Sequence, residues 1–169
     1  MEINFAASFT FAFFTTIAFG VLFQAPRKTL VPSGIIGAVG WVVFIYLGKE
    51  LEYSSFYANF FATVALSLLS ELSARLFRQP TTIFVIPGII PIVPGLGIYQ
   101  GMTTIIEKNY ERGLGILLTA CTDAVAIALG IMVMTSFFRV LKLGKDHRYL
   151  LQLAHMGEDG KNEDKMEDK

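Results

Sequence analysis

Residues 86–101 read Ile86-Pro87-Gly88-Ile89-Ile90-Pro91-Ile92-Val93-Pro94-Gly95-Leu96-Gly97-Ile98-Tyr99-Gln100-Gly101. No charge interrupts this stretch, so it is apolar enough for a membrane interior. Proline, however, removes a backbone donor and clashes with the preceding turn. Three prolines this close together predict a broken helix; the plainer alternative is a kinked structural helix. Irregular backbone at membrane depth is tolerated only where protein buries it or where it lines a cavity. Discontinuous transporter helices use such freed amides and carbonyls to hold substrate or ions. On this reading Pro87, Gly88, Pro91, Pro94, Gly95 and Gly97 form a break on a substrate path, with Tyr99 and Gln100 supplying side-chain donors at its end. Gly97 and Gly101 form a small-xxx-small pair for close helix approach.

Outward from this stretch the chain repeats one theme. Residues 3–23 carry no charge and match the length of about 17–25 residues that a spanning helix needs. A signal peptide would need a basic start and a shorter apolar region, but this chain begins Met-Glu-Ile-Asn. Further apolar runs cover 33–48, the helix starting near Ser33 after Pro32, and 56–77, 81–106 and 113–138. The fold class is therefore an all-α membrane protein of about five transmembrane segments, the fourth broken by Pro and Gly. Residues 1–146 form the membrane domain, and 147–169 a polar, disordered cytoplasmic tail. Composition agrees: 53% of the 169 residues are hydrophobic, 17% are charged, and formal net charge is zero. Mean hydropathy is +0.55. With five segments and an outside N-terminus, eleven of fourteen basic residues fall inside. The positive-inside rule then gives N-out, C-in, in a multi-pass cell-membrane protein.

Two acids lie within these segments. Asp123 stands well inside the fifth, near the bilayer centre, where a carboxylate is costly and functional by default. Gly115, Thr119, Ala126 and Gly130 share its face at helical spacing, and Thr122 adjoins it. The functional reading is a proton or substrate relay. The structural one is a neutral acid hydrogen-bonded to a partner helix. Glu71 shares a face with Asn59, Thr63, Ser67, Ser70 and Ala74, and it reads equally as an ion pair with Arg75 at i+4. Ser67 joins the path because a polar stripe of this kind is costly against lipid. The second segment sets Ser33, Gly34, Gly37, Ala38 and Trp41 on a packing face. The Phe-rich first segment suits lipid.

Other chemistries fail. His147 and His155 have no metal-ligand spacing to a cysteine, and Gly95-Leu96-Gly97 lacks the lysine of a phosphate loop. Glu71 and Asp123 lie in no glycine-flanked protease motif. No enzyme, cofactor or metal is expected. Without a basic excess, no nucleic-acid partner is expected either. The lone Cys121 allows no internal disulfide.

Three stretches together carry a resemblance: Phe23-Gln24-Ala25-Pro26-Arg27-Lys28, then Gly34…Gly37…Gly40-Trp41, and above all residues 86–95 with Tyr99. They resemble the threonine/serine exporter (ThrE) family, and within it the small YjjB-like membrane subunit matching the C-terminal membrane half of fused exporters. The resemblance covers about residues 1–145. It implies proton-coupled export of a small solute, threonine/serine or a small dicarboxylate. It also implies a larger membrane subunit as partner. The remaining expected partners are the bilayer, the solute and a second copy of the chain. The alternative is a non-transporting scaffold or assembly subunit. The Pro-Gly segment is the part that transfers residue by residue; Asp123 matches no family motif and rests on its depth alone.

Overall fold

The computed structural model describes the backbone of residues 4–167 and the side chains of residues 4–140. Its described elements are α1 (Phe5–Leu22), α2 (Arg27–Ile45) with a π-helical extension (Tyr46–Glu50), α3 (Ser55–Phe77), α4 (Thr82–Ile89), α5 (Gly95–Ile106) and α6 (Tyr110–Glu167). The chain divides into two units, Met1–Met134 and Thr135–Lys169. The second contains the C-terminal part of α6. The backbone of α6 runs to Glu167, through the polar tail expected from residue 147. Its side chains lie outside the described residues.

Among the described residues, four stretches are long and apolar enough to cross a membrane: Phe5–Leu22, Arg27–Glu50, Ser55–Phe77 and Tyr110–Val140. The expected fourth segment is divided between α4 and α5. At about 1.5 Å per residue neither piece alone spans a hydrocarbon core of about 30 Å. Pro87 remains inside α4, while the interruption falls between Ile90 and Pro94.

α1 is stapled at its start by the Asn4 side chain, which accepts from the Ala7 amide at 3.2 Å. Phe11 and Phe14 face outward, as the lipid reading of this segment requires, but α1 also buries Ala12, Thr16 and Gly20, four residues apart. This stripe lies on α2, where a Cβ at Gly37 would collide with the Thr16 side chain. α2 begins at Arg27, not near Ser33. Pro26 caps it in an extended conformation, and Pro32 is accommodated inside the helix. Ser33 Oγ donates to the Thr29 carbonyl at 2.8 Å, so the hydroxyl is satisfied within the same turn. Ser33, Gly34, Gly37 and Ala38 are buried, as their spacing predicts.

The core of the first unit is built around Leu66 of α3, with Ile36, Phe84, Val85 and Ile92 in the same cluster. Gly40 of α2 and Gly88 of α4 approach it closely: a Cβ on them would lie 3.0 and 3.4 Å from Leu66 Cδ1. Gly88 therefore serves packing. α3 ends at Phe77 and is capped by Arg78, whose backbone is left-handed at φ 52°. α5 and α6 form an antiparallel hairpin, tight enough that a Cβ on Gly113 would sit 2.9 Å from the Gly101 carbonyl. The expected close approach at Gly101 is thus present.

These contacts set different tolerances at two glycines. Gly37→Ala should cost about 1–3 kcal/mol, the usual range for overpacking a tight contact, because Thr16 is stiff at χ1. A Cβ on Gly95 would meet nothing within 4 Å, so Gly95→Ala should leave stability nearly unchanged. Thermal unfolding of the two variants in detergent checks this; equal melting temperatures would contradict the α1–α2 contact.

Candidate functional site

Most buried hydroxyls in this bundle are satisfied by their own helix. Thr16 donates to Ala12 O at 2.9 Å, Thr29 to Pro26 O at 2.8 Å and Thr63 to Asn59 O at 2.7 Å. Such bonds let a membrane helix carry polar residues without exposing an unpaired donor to lipid.

Asp123 departs from this pattern because its partner lies on another helix. It is 7% exposed, and its Oδ2 accepts from Ser55 Oγ of α3 at 2.8 Å. Asn59 Nδ2, one turn along α3, donates to the Ser55 carbonyl at 2.9 Å and to Ser55 Oγ at 3.3 Å. The directions form a chain from amide to hydroxyl to carboxyl. Gly130, two turns beyond Asp123, permits it. A Cβ there would stand 2.9 Å from the Phe60 carbonyl and 3.0 Å from Thr63 Cβ. The two helices therefore run parallel and in close contact, and Asp123 meets the first turn of α3. Depth within its own segment predicts a position near the middle; the register with α3 makes it level with the start of that helix.

Four buried side-chain atoms have no hydrogen-bond partner among the described residues: Asn59 Oδ1, Ser67 Oγ, Ser70 Oγ and Asp123 Oδ1. Three belong to α3, so the expected polar stripe is buried, Ser67 included. Glu71 lies half-buried at its far end. Orphaned polar atoms at this depth are rare and call for a partner.

Not every expected residue joins this cluster. Thr119 and Thr122 are exposed, and their hydroxyls turn back to Gly115 O at 3.0 Å and Thr119 O at 2.8 Å. Gly115 has nothing near it. In the broken segment Pro87 and Gly88 are buried in packing, while Pro91 and Pro94 are half-buried. The amides freed by the break are already used: Ile92 and Val93 donate to Ile89 O at 2.9 and 3.1 Å, and Gly95 to Val93 O at 2.7 Å. Tyr99 and Gln100 are exposed on α5. Gly97 packs on α6, its Cβ position 3.6 Å from Ala120 Cβ, one turn before Asp123.

Two cavities open at opposite ends of α2. One, of about 400 Å³, is lined by Phe23, Gln24, Pro26, Thr82, Ile86 and Pro87, among others. The other, of about 290 Å³, is lined by Trp41, Phe44, Lys49, Tyr53, Ser55 and Ala58, with Ile45 and Gly48. The π-helical extension contributes Gly48 and Lys49 to it, and π segments recur at functional sites. Ser55 links this cavity to Asp123. Neither Ser55 nor Lys49 stands out in the sequence. Ser54-Ser55 looks like a helix start, and nothing local says which helix will face it.

Comparison with known proteins bears on the whole first unit. A family model described as "Threonine/Serine exporter, ThrE" matches residues 8–137. A threonine/serine exporter of Corynebacterium glutamicum is 28% identical over 123 residues, covering 70% of this chain and 24% of that protein. A probable threonine/serine exporter of Mycobacterium tuberculosis is 24% identical over 110 residues, 64% of this chain and 21% of its own length. An uncharacterised Haemophilus influenzae protein is 31% identical over 101 residues, 59% of this chain and 33% of its own. The chain thus aligns with a third or less of the length of each of these relatives. No solved structure matches. The match across residues 8–137, in a chain of apolar helices that can cross a membrane, means that this multi-pass membrane protein belongs to the threonine/serine exporter family, a family of transporters and not of enzymes.

Proposed function

We propose that this chain is the small membrane subunit of a secondary exporter for small polar metabolites, driven by the proton gradient. The observation that carries this reading is Asp123: a buried carboxyl bonded across a helix interface, with one oxygen unpartnered among the described residues and its hydroxyl partner lining a cavity. A purely structural acid in a membrane would be expected to satisfy both oxygens. The stripe of Asn59, Ser67 and Ser70 continues the polar surface along α3. Two of the relatives named above are called threonine/serine exporters, and this chain aligns with about a quarter of each. That proportion supports a larger partner subunit carrying the rest of the machinery.

In the proposed cycle, Asp123 takes up a proton on one side and releases it on the other as α3 and α6 exchange partners. The orphaned oxygens of Asn59, Ser67 and Ser70 offer successive hydrogen-bonding positions to the solute or to water moving with it. On α3 this polar face adjoins Leu66, which belongs to the apolar cluster of the first unit. The basic count supports the N-out, C-in arrangement with five crossings, in which α4 and α5 together make the fourth.

Two measurements test this. Asp123→Asn retains shape and one acceptor but cannot titrate. In proteoliposomes holding the assembled complex, export driven by a pH gradient should fall at least tenfold, while substrate exchange and subunit assembly persist. Unchanged gradient-driven export would refute the proton role and leave the scaffold alternative. For topology, single cysteines go into the Lys108 loop and the C-terminal tail, with Cys121 replaced. The first should react with an impermeant thiol reagent from outside and the second should not; the reverse pattern would overturn the five-crossing arrangement.

A further inference from the structure

The loops joining α1 to α2 and α3 to α4 lie at one end of the bundle, where α4 packs against α1 and α2. Each loop turns through a non-glycine residue with a left-handed backbone, Gln24 at φ 57° and Arg78 at φ 52°. The larger cavity, of about 400 Å³, opens here. Phe23, Pro26, Ile86 and Pro87 give it apolar walls, and Gln24 and Thr82 add a polar share. Phe23 and Ile86 are exposed, which on a spanning bundle turns the opening toward lipid. The charge around that opening is predominantly positive. Arg27 follows Pro26 directly, Lys28 comes next, and Arg78 stands four residues before Thr82. All three are exposed. Phe77, beside Arg78, sets its ring 6.1 Å from that of Phe84 and so holds the end of α3 against α4. Over residues 20–32 and 71–87 the chain has four bases, Arg27, Lys28, Arg75 and Arg78, against one acid, Glu71. α2 and α4 both begin here without a side-chain cap, and the positive ends of their dipoles add to the same sign.

From this layering of cations over an apolar cavity we infer that this end of the bundle is a binding site for an anionic phospholipid. The phosphate pairs with Arg27, Lys28 and Arg78, the guanidinium fork being the better match to its oxygens. Gln24 and Thr82 hydrogen-bond the ester oxygens beneath it. A stretch of one acyl chain fills the cavity against Phe23, Ile86 and Pro87. Basic pockets between transmembrane helices on the cytoplasmic side hold lipid head groups by the same chemistry, and the N-out arrangement proposed above puts this end on that side. A free phosphate would use the cations and leave the apolar walls to water, which is unfavourable. A partner helix, about 10–12 Å across with its side chains, is too wide to enter. A zwitterionic lipid brings a cation of its own against the basic rim, and like charges repel. The site does not depend on the transport reading: it lies at the opposite end of α2 from the cavity that Ser55 lines.

The test uses the full chain with any co-purifying subunit, released from nanodiscs of equal parts phosphatidylglycerol and phosphatidylcholine with the same acyl chains. Native mass spectrometry reads which lipids stay bound. Phosphatidylglycerol should be retained at least tenfold over phosphatidylcholine. The triple variant Arg27→Gln, Lys28→Gln and Arg78→Asn should lose that preference, asparagine being at ease in the left-handed backbone. Removing three exposed bases elsewhere, by Lys49→Gln, Lys108→Gln and Arg112→Gln, should leave it intact. Ile86→Trp and Thr82→Phe each fill the cavity from an exposed position with the cations in place. Either should cut phosphatidylglycerol retention at least fivefold, with the melting temperature in detergent showing that the variant folds. Equal retention of the two lipids would overturn the inference. So would an equal loss in the two triple variants, which would mean general attraction of charge, or full retention in both filled variants. Displacement of the lipid by inorganic phosphate would overturn it in favour of a site for a free anion. Lipid binding that appears only after the co-purifying subunit is stripped away would overturn it in favour of a protein interface.

Discussion

The close approach of α6 to α3 at Gly130 is the contact on which the site depends. A side chain there would press on the Phe60 carbonyl, which cannot move without disturbing its helix. Because Gly130 has none, the helices come together, and two turns away the Asp123 carboxyl reaches Ser55. Small residues serve this purpose in membranes, where lipid is as apolar as leucine and packing must supply the attraction between helices. The same device recurs at Gly37 against Thr16, at Gly40 and Gly88 against Leu66, and at Gly101 against Gly113. These glycines decide which polar groups face one another.

The bundle handles its polar groups in two ways. Thr16, Thr29, Ser33 and Thr63 are closed off by bonds within their own helices. Asn59, Ser67, Ser70 and Asp123 each retain a buried atom without a partner among the described residues. Both groups have similar residue types and similar burial, so burial alone does not separate scaffold from site. The separating feature is unused hydrogen-bonding capacity, which in a low-dielectric interior is expensive to leave unmet.

Much of this is legible in the sequence, and the failures have physical causes. Length and apolarity delimit the segments, and prolines 87, 91 and 94 foretell the division into α4 and α5. Their consequences are harder to read. Pro87 stays helical, and the amides of Ile92, Val93 and Gly95 find carbonyls within the break. Counting places Asp123 and Gly130 on one face, but it places Thr119 on that face and Thr122 beside it, and these two lie exposed. A helical wheel gives a direction around one axis. It carries no information on how far one helix slides along another, and that offset brings Asp123 to Ser55, not to the middle of α3. The π extension that shapes the Lys49 cavity likewise leaves no mark in residue types.

The register between α3 and α6 is therefore the central claim, and cysteine cross-linking in native membranes tests it most directly. With Cys121 replaced, Ser55→Cys paired with Asp123→Cys should form a disulfide readily under mild oxidation. Ser67→Cys paired with Asp123→Cys, the arrangement that a mid-helix position would require, should not. Efficient linkage of 67 to 123 with none between 55 and 123 would contradict the account.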